Sequence, residues 1–385
     1  MGRVPLIIPT PCGYQFAREI YRHLTETYLP RRKQKSNGVW VDTEMFVFAD
    51  TDQMTGILKH IRGGDAYIIA DVESSATILP TETVDNRPPS HRIEMREGAY
   101  TVYHGKNVLP VSPRRVSVPR NFDMFLSTVD AVRNAVKEEG HVTAVLPCFP
   151  SARQDRRGGR RSLDLKRRFL EMDALGVNRV LTNDIHNEST ELAVPYRMGF
   201  DNLYSRKTLV DFLRARGLRD NIYVISPDEG AYKKIAKRYA KDLGTGVGLL
   251  DKSRDQPNVI DAVGTGVGII DVAGKNILLV DDMIDTAGTT VEAAEYLRDR
   301  GAASVIAITA HAVFSPPAID RLEKAVAKGH LNEVIVTNSV THPDAIKERQ
   351  WLTTVDVAKY FAKAIDRLNV GDSISALLDD DDEEE

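Results

Sequence analysis

The chain has 385 residues, 42% hydrophobic and 28% charged, the balance of an ordinary globular protein with room for two cores rather than of a disordered or fibrous chain. No run approaches 18 consecutive apolar residues, and the proline-flanked start lacks the long apolar core of a secretory leader, so neither a membrane span nor export is expected. The formal charge of −4 reflects seven consecutive acidic residues, 379–385, without which 51 basic residues face 48 acidic ones; the two cysteines, Cys12 and Cys148, cannot make a disulfide framework and fit a cytoplasmic setting.

Apolar runs of strand length alternate with amphipathic helical stretches. Residues 4–8 read as a strand, 16–24 as a helix and 66–70 as a short buried strand. Residues 74–120 break the rhythm. They are polar, carry Pro80, Pro88, Pro89, Pro110, Pro113 and Pro119, and read as an atypical surface or subunit-contact insertion with a hairpin around Gly105. Phe122, Phe125, Leu126, Val129, Val132 and Val136 then recur at helical spacing. Strand 142–146, helix 164–175 and strand 179–182 follow. The second half repeats the pattern: strand 222–225, helix 232–243, strand 277–280, helix 291–300, strands 305–309 and 334–336, and a closing helix over 357–368. Such alternation predicts parallel sheets with crossover helices, whose ligands sit in loops at the carboxyl ends of strands.

The strongest local signal is Ile277-Leu-Leu-Val-Asp-Asp-Met-Ile-Asp-Thr-Ala-Gly-Thr-Thr290. An apolar run ends at two carboxylates, Asp281 and Asp282. Asp285, Thr286, Ala287, Gly288, Thr289 and Thr290 then lead into a helix. Backbone N–H groups at a helix start are unpaired and lie at the positive end of the dipole. Gly288 permits close approach of an anion, and the three threonines can each donate a hydroxyl bond. Paired acids beside a phosphate cradle make sense for a sugar phosphate, its diol on Asp281 and Asp282. This loop resembles the phosphoribosyl-diphosphate motif of type I phosphoribosyltransferases, and its wording is closest to the ribose-phosphate diphosphokinases.

Other segments share that resemblance. Strand 142–146 leads into Ala152-Arg153-Gln154-Asp155-Arg156, opening a stretch, 153–168, with eight basic and two acidic residues. A mobile basic loop can neutralise and cover a triphosphate. By resemblance Arg153, Gln154 and Asp155 contact ATP. His186 follows strand 179–182, and the resemblance assigns it to ATP and its Mg²⁺. Asp228, in Ser226-Pro-Asp-Glu-Gly, matches a metal-associated acid, with a simple helix cap as the other reading. Lys252 and Arg254 match a catalytic Lys-x-Arg pair, and two cations one residue apart on an extended segment can point the same way. Phe48, Asp50 and Asp52 match a Phe-Ser-Asp-Gly-Glu segment that holds adenine and ribose, here with Thr51 for Gly and Asp52 for Glu.

The resemblance implies an α/β fold of two phosphoribosyltransferase-like domains, each a mainly parallel sheet flanked by helices: 1–200 with the ATP loop, 201–371 with the ribose 5-phosphate loop, and an acidic tail over 372–385. It implies Mg-dependent transfer of the β,γ-diphosphoryl group of ATP to ribose 5-phosphate, with Lys252, Arg254 and His186 catalytic. Arg254, Asp281, Asp282, Asp285, Thr286, Ala287, Gly288 and Thr289 would hold ribose 5-phosphate. It also implies a homo-oligomer, commonly a hexamer, with neither nucleic acid nor membrane as partner. The alternatives are a phosphoribosyltransferase that consumes the same product and a non-catalytic regulatory homologue.

Overall fold

A computed structural model describes residues 4–34, 38–48, 50, 52–81, 90–157, 159–218, 222–251, 258–261, 268–269 and 271–378, with backbone alone over the described part of 251–270 and at 376 and 378. No helix among them is long and apolar enough to cross a membrane. The chain divides into two compact units. The first is Met1–Tyr204, Ser339–Pro343 and Ala358–Glu385; the second is Ser205–Asn338 and Asp344–Val357.

The first unit is built on five parallel strands in the order Leu6–Pro9, Asp65–Ile69, His141–Leu146, Arg179–Asn183, Gly199–Leu203. Strands covered on both faces read as continuous apolar runs, as Ile7, Ile8, Ile68 and Ile69 do, all wholly buried. Helix Val118–Val136 lays the expected stripe, Phe122, Phe125, Val129, Val132 and Val136, into this core, with Pro119 in its first turn, where a missing N–H is harmless. The closing helix, Ala358–Val370, groups with this unit, not with the 201–371 domain expected for it. Its stripe of Phe361, Ala362 and Ile365 is buried, and Phe361 packs edge-on against Phe16 of helix Tyr14–His23 at 5.3 Å.

The described residues of 74–120, which are 74–81 and 90–120, form more regular structure than their composition implies. His91–Arg96, Ala99–His104 and Asn107–Val108 extend an antiparallel sheet begun by Thr43–Val47 and Gln53–Ile57, and Thr77–Pro80 pairs with Val111–Arg114. Alternation explains it: His91, Ile93 and Met95 face inward opposite Val47, Met45 and Thr43, while their neighbours face outward. Gly105 (φ 60°) makes the expected tight turn between Ala99–His104 and Asn107–Val108.

The second unit holds an eight-stranded sheet: Gly268–Ile269, Asn258–Asp261, Val247–Asp251, Ile222–Ser226, Asn276–Ile284, Ser304–Ala312, Glu333–Thr337, Leu352–Val355. The last six run parallel, and the first two are antiparallel additions at one edge. Both units are therefore α/β with mainly parallel sheets, as expected. Strand Asn276–Ile284 runs four residues beyond the expected end at Val280. Pairing carries it on, since Asp281, Met283 and Ile284 lie opposite Thr309, His311 and Ala312.

Candidate active site

In the second unit the turn between strand and helix shrinks to Asp285, Thr286 and Ala287. Asp281 and Asp282 belong to the strand, not to a loop. Gly288, Thr289 and Thr290 form the first turn of helix Gly288–Asp299. Ala287 precedes that helix in the left-handed region (φ 59°, ψ 10°), a conformation that costs a non-glycine residue on the order of 1 kcal/mol. A left-handed residue followed by a right-handed one turns successive N–H groups into one concavity, a shape that binds anions. Ala287 has no side-chain oxygen to cap the helix, whose leading N–H groups have no acceptor within the helix. Thr286 and Thr289 are exposed at this turn, whereas Thr290 is buried beneath the helix and drops out of the expected hydroxyl set.

The acids behind the turn form a charged group of their own. The Asp281 carboxylate accepts the Asp282 backbone N–H at 2.9 Å. Burial first, then the charges of Asp282 and Asp228, push the Asp281 carboxyl up to about 8. Asp228 reaches Asp281 because Ile222–Ser226 and Asn276–Ile284 are neighbouring parallel strands with Ile225 beside Leu279. Asp228 is also a helix cap, its Oδ1 accepting the Ala231 N–H at 2.9 Å. Among the described residues no three His, Cys, Asp or Glu side chains stand close enough to hold a metal unaided. Lys252 and Arg254 lie outside the described residues.

In the first unit the corresponding loops follow neighbouring strands, His141–Leu146 and Arg179–Asn183. Arg153, Gln154, Arg156, Arg157 and Arg161 line a cleft of about 600 Å³ together with Ser162 and Asp164. Asp155 is half-buried and points elsewhere: its Oδ2 accepts the Asn187 side-chain N–H at 2.5 Å. That bond joins the basic loop to the loop carrying His186, which is half-buried next to Asn187. Asp184, at the start of the His186 loop, has φ 41° and donates its N–H to Leu203 O at 2.8 Å. Asn187 is the residue the sequence reading passed over. Its position one past His186 was visible, but not its partner across the strand pair.

Phe48, Asp50 and Asp52 sit apart from the parallel sheet, on the tip joining Thr43–Val47 to Gln53–Ile57. Phe48 N–H donates to Asp52 O at 2.8 Å, and Asp52 N–H to the Asp50 carboxylate at 3.1 Å. Phe48 is left 45% exposed, a large apolar ring at the surface.

Known proteins resemble this chain in sequence and in fold. A ribose-phosphate pyrophosphokinase of Synechococcus elongatus is 40% identical over 256 residues, covering 66% of this chain and 73% of that protein. One from Vibrio parahaemolyticus is 37% identical over 277 residues, covering 71% and 84%. The chain belongs to the ribose-phosphate pyrophosphokinase family. Residues 224–379 match the family described as "Phosphoribosyl synthetase-associated domain", a span that contains Asp228 and the whole Asp281–Thr289 segment. A crystal structure of phosphoribosylpyrophosphate synthetase from Mycobacterium smegmatis shares the fold at a TM-score of 0.70, covering 96% of this chain and 100% of that one, at 22% sequence identity.

Proposed function

We propose that this member of the pyrophosphokinase family makes 5-phosphoribosyl 1-diphosphate by moving the β,γ-diphosphoryl group of ATP onto O1 of ribose 5-phosphate, releasing AMP. The observation that carries the reading is the turn Asp285–Ala287 between a strand that carries two carboxylates near its end, Asp281 and Asp282, and a helix whose N-cap, Ala287, has no capping side chain. The turn's N–H groups and the exposed hydroxyls of Thr286 and Thr289 take the 5-phosphate. Asp281 and Asp282 accept hydrogen bonds from the ribose hydroxyls. Arg153, Gln154 and the arginines around them take the triphosphate, with Phe48, Asp50 and Asp52 for adenine and ribose. Lys252 and Arg254 offset charge on the diphosphoryl group as it moves, so that catalysis rests on positioning and charge rather than on a covalent enzyme intermediate.

Magnesium fits this chemistry. Of the two metal contacts the resemblance implies, His186 and Asp228, Asp228 has the surroundings that argue for a cation. Burial and the two neighbouring carboxylates, Asp282 and Asp228, raise the Asp281 pKa, and a divalent ion would relieve that repulsion. Mg²⁺ is commonly held by one or two carboxylates plus substrate phosphates, so a site that protein groups alone do not complete is in keeping with it. When bound, it would neutralise charge on the phosphate oxygens.

The decisive assay incubates purified protein with MgATP and ribose 5-phosphate and follows AMP. A phosphoribosyltransferase would share the Asp281–Thr289 segment but form no AMP. A regulatory homologue would form none alone, yet would alter turnover when mixed with a catalytic relative. We further propose a cytoplasmic homo-oligomer, which sedimentation of the purified chain would test.

A further inference from the structure

We propose that Arg321 is a positioning residue for the phosphate turn, setting the direction of the Ala287 N–H by gripping the carbonyl on the other side of the same peptide. The proposal rests on the reading of Asp285–Thr289 as the ribose 5-phosphate loop. Arg321 lies 32 residues or more from that turn in sequence, in the first turn of helix Ala318–Ala327. Its Nη1 donates to Thr286 O at 3.0 Å. The same Nη1 would lie 3.4 Å from a Cβ built on Gly288, so the guanidinium is seated against the turn itself.

The Thr286–Ala287 peptide is trans, since the one cis bond in the described chain is Pro316–Pro317. In a trans peptide the C=O and the following N–H point in opposite directions. Holding the Thr286 carbonyl toward Arg321 therefore holds the Ala287 N–H away from it. That N–H is the first of the concavity made by left-handed Ala287 and helical Gly288. The peptide needs such a restraint, because Ala287 without glycine's freedom has other, less costly conformations to fall into.

Electrostatics set the same requirement. Arg321 is exposed and stands at the start of two helices, its own and Gly288–Asp299. Both starts carry partial positive charge, which disfavours a cation. Asp320 offsets this at Arg321's own helix. At the start of Gly288–Asp299 an incoming anion adds compensation for that cation, so Arg321 favours the occupied turn over the empty one.

Calorimetric titration of the full chain with ribose 5-phosphate, run beside steady-state kinetics and apo melting, tests the proposal on Arg321→Ala and Arg321→Lys. Expected is about tenfold weaker ribose 5-phosphate binding for Arg321→Ala, the cost of losing one charge-assisted bond. KM for ATP should stay within about twofold of wild type, kcat at saturation should change little, and apo Tm should hold. Lysine, which keeps one donor and the charge, should restore binding to within about threefold. Wild-type binding matched by Arg321→Ala would overturn the proposal and leave the loop assignment standing. Equal weakening of both substrates with a lower apo Tm and no rescue by lysine would also overturn it, by showing a merely structural role. A wild-type chain that fails to bind ribose 5-phosphate would sink the loop assignment first and this proposal with it.

Discussion

The two strand-end regions, one in each unit, hold charge by different means. In the second unit three residues, Asp285–Ala287, join a paired strand to a helix, and the groups offered to an anion are backbone N–H groups fixed from both sides. In the first unit the chain wanders from Pro147 to Leu163 between His141–Leu146 and Asp164–Ala174, offering the exposed side chains of Arg153, Arg156, Arg157 and Arg161. Each arginine loses rotamer freedom when it settles on a phosphate, whereas the backbone turn has already lost its own. The turn is suited to one small ester held in one place. The arginine loop is suited to a longer, more highly charged group that arrives in several orientations and is then covered.

A third contributor, Lys252, tests whether those two regions suffice for chemistry. Both regions bind the ground state, so a group that acts only on the moving diphosphoryl charge should appear in kcat alone. Lys252→Ala is expected to lower kcat by about a thousandfold or more with KM for either substrate within a few-fold. Turnover near wild type would mean that positioning by the two strand-end regions carries the reaction unaided.

Two aspartates, one in each unit, have carboxyls pushed well above the ordinary range, for different reasons. Asp71, in the first unit, is pushed up to about 8 chiefly by burial, and a hydrogen bond from the Thr341 N–H pulls it partly back. Asp281, in the second, is pushed to about 8 by burial and by the neighbouring Asp282 and Asp228. Both folded values lie above the unfolded one near 4, so the folded chain keeps protons that the unfolded chain releases. Stability should therefore fall as pH rises from about 4 through about 8, and level off above. Urea unfolding across that range should show Asp71→Asn losing part of the slope and gaining on the order of a few kcal/mol over wild type at pH 9. Asp282→Asn should shrink only the contribution of Asp281. Unchanged slopes in both variants would mean that these carboxyls are hydrated in solution.

Most parallel strands were legible because burial on both faces writes them as apolar runs; Gly199–Leu203 and Leu352–Val355, with Asp201, Asn202, Thr353 and Thr354 breaking the run, were not. The antiparallel sheet of the first unit was not, since each of its strands hides every second residue and shows the rest; His91, Ile93 and Met95 alternate with Arg92, Glu94 and Arg96 inside a proline-studded stretch. Asp281 and Asp282 read as the end of a strand because carboxylates stop an apolar run, yet backbone pairing with Ser304–Ala312 is indifferent to side-chain charge and carries the strand to Ile284. The turn proposed to hold the sugar phosphate stood out in the sequence since its parts are consecutive. Arg321 and the Asp155–Asn187 bond join segments distant in sequence, where no spacing rule applies.

Substrate-specific KM changes probe the division of labour directly. Thr289→Ala should raise KM for ribose 5-phosphate about tenfold and leave KM for ATP alone, as expected when one hydrogen bond to a charged ester is removed. Arg156→Ala combined with Arg157→Ala should do the reverse, and the ATP effect should fade as salt is added because exposed guanidiniums are screened. A rise in both constants from either change would break the contrast between the two regions.

The smallest effect concerns the bond that ties the basic loop to its neighbour. Asp155 was expected to touch ATP, but its carboxylate is bonded to Asn187, beside His186. Such a bond does not raise affinity by itself; it keeps the start of a long loop from drifting, so that Arg153 begins from a defined place. A double-mutant cycle over Asp155→Ala and Asn187→Ala should return a coupling of about 1 kcal/mol in kcat/KM for ATP, close to one part-buried hydrogen bond to a charged group. Each single change should then cost nearly as much as the pair. Fully additive losses would instead give Asp155 its own contact with the nucleotide, and the basic loop would be steered by its ligand rather than by the loop next to it.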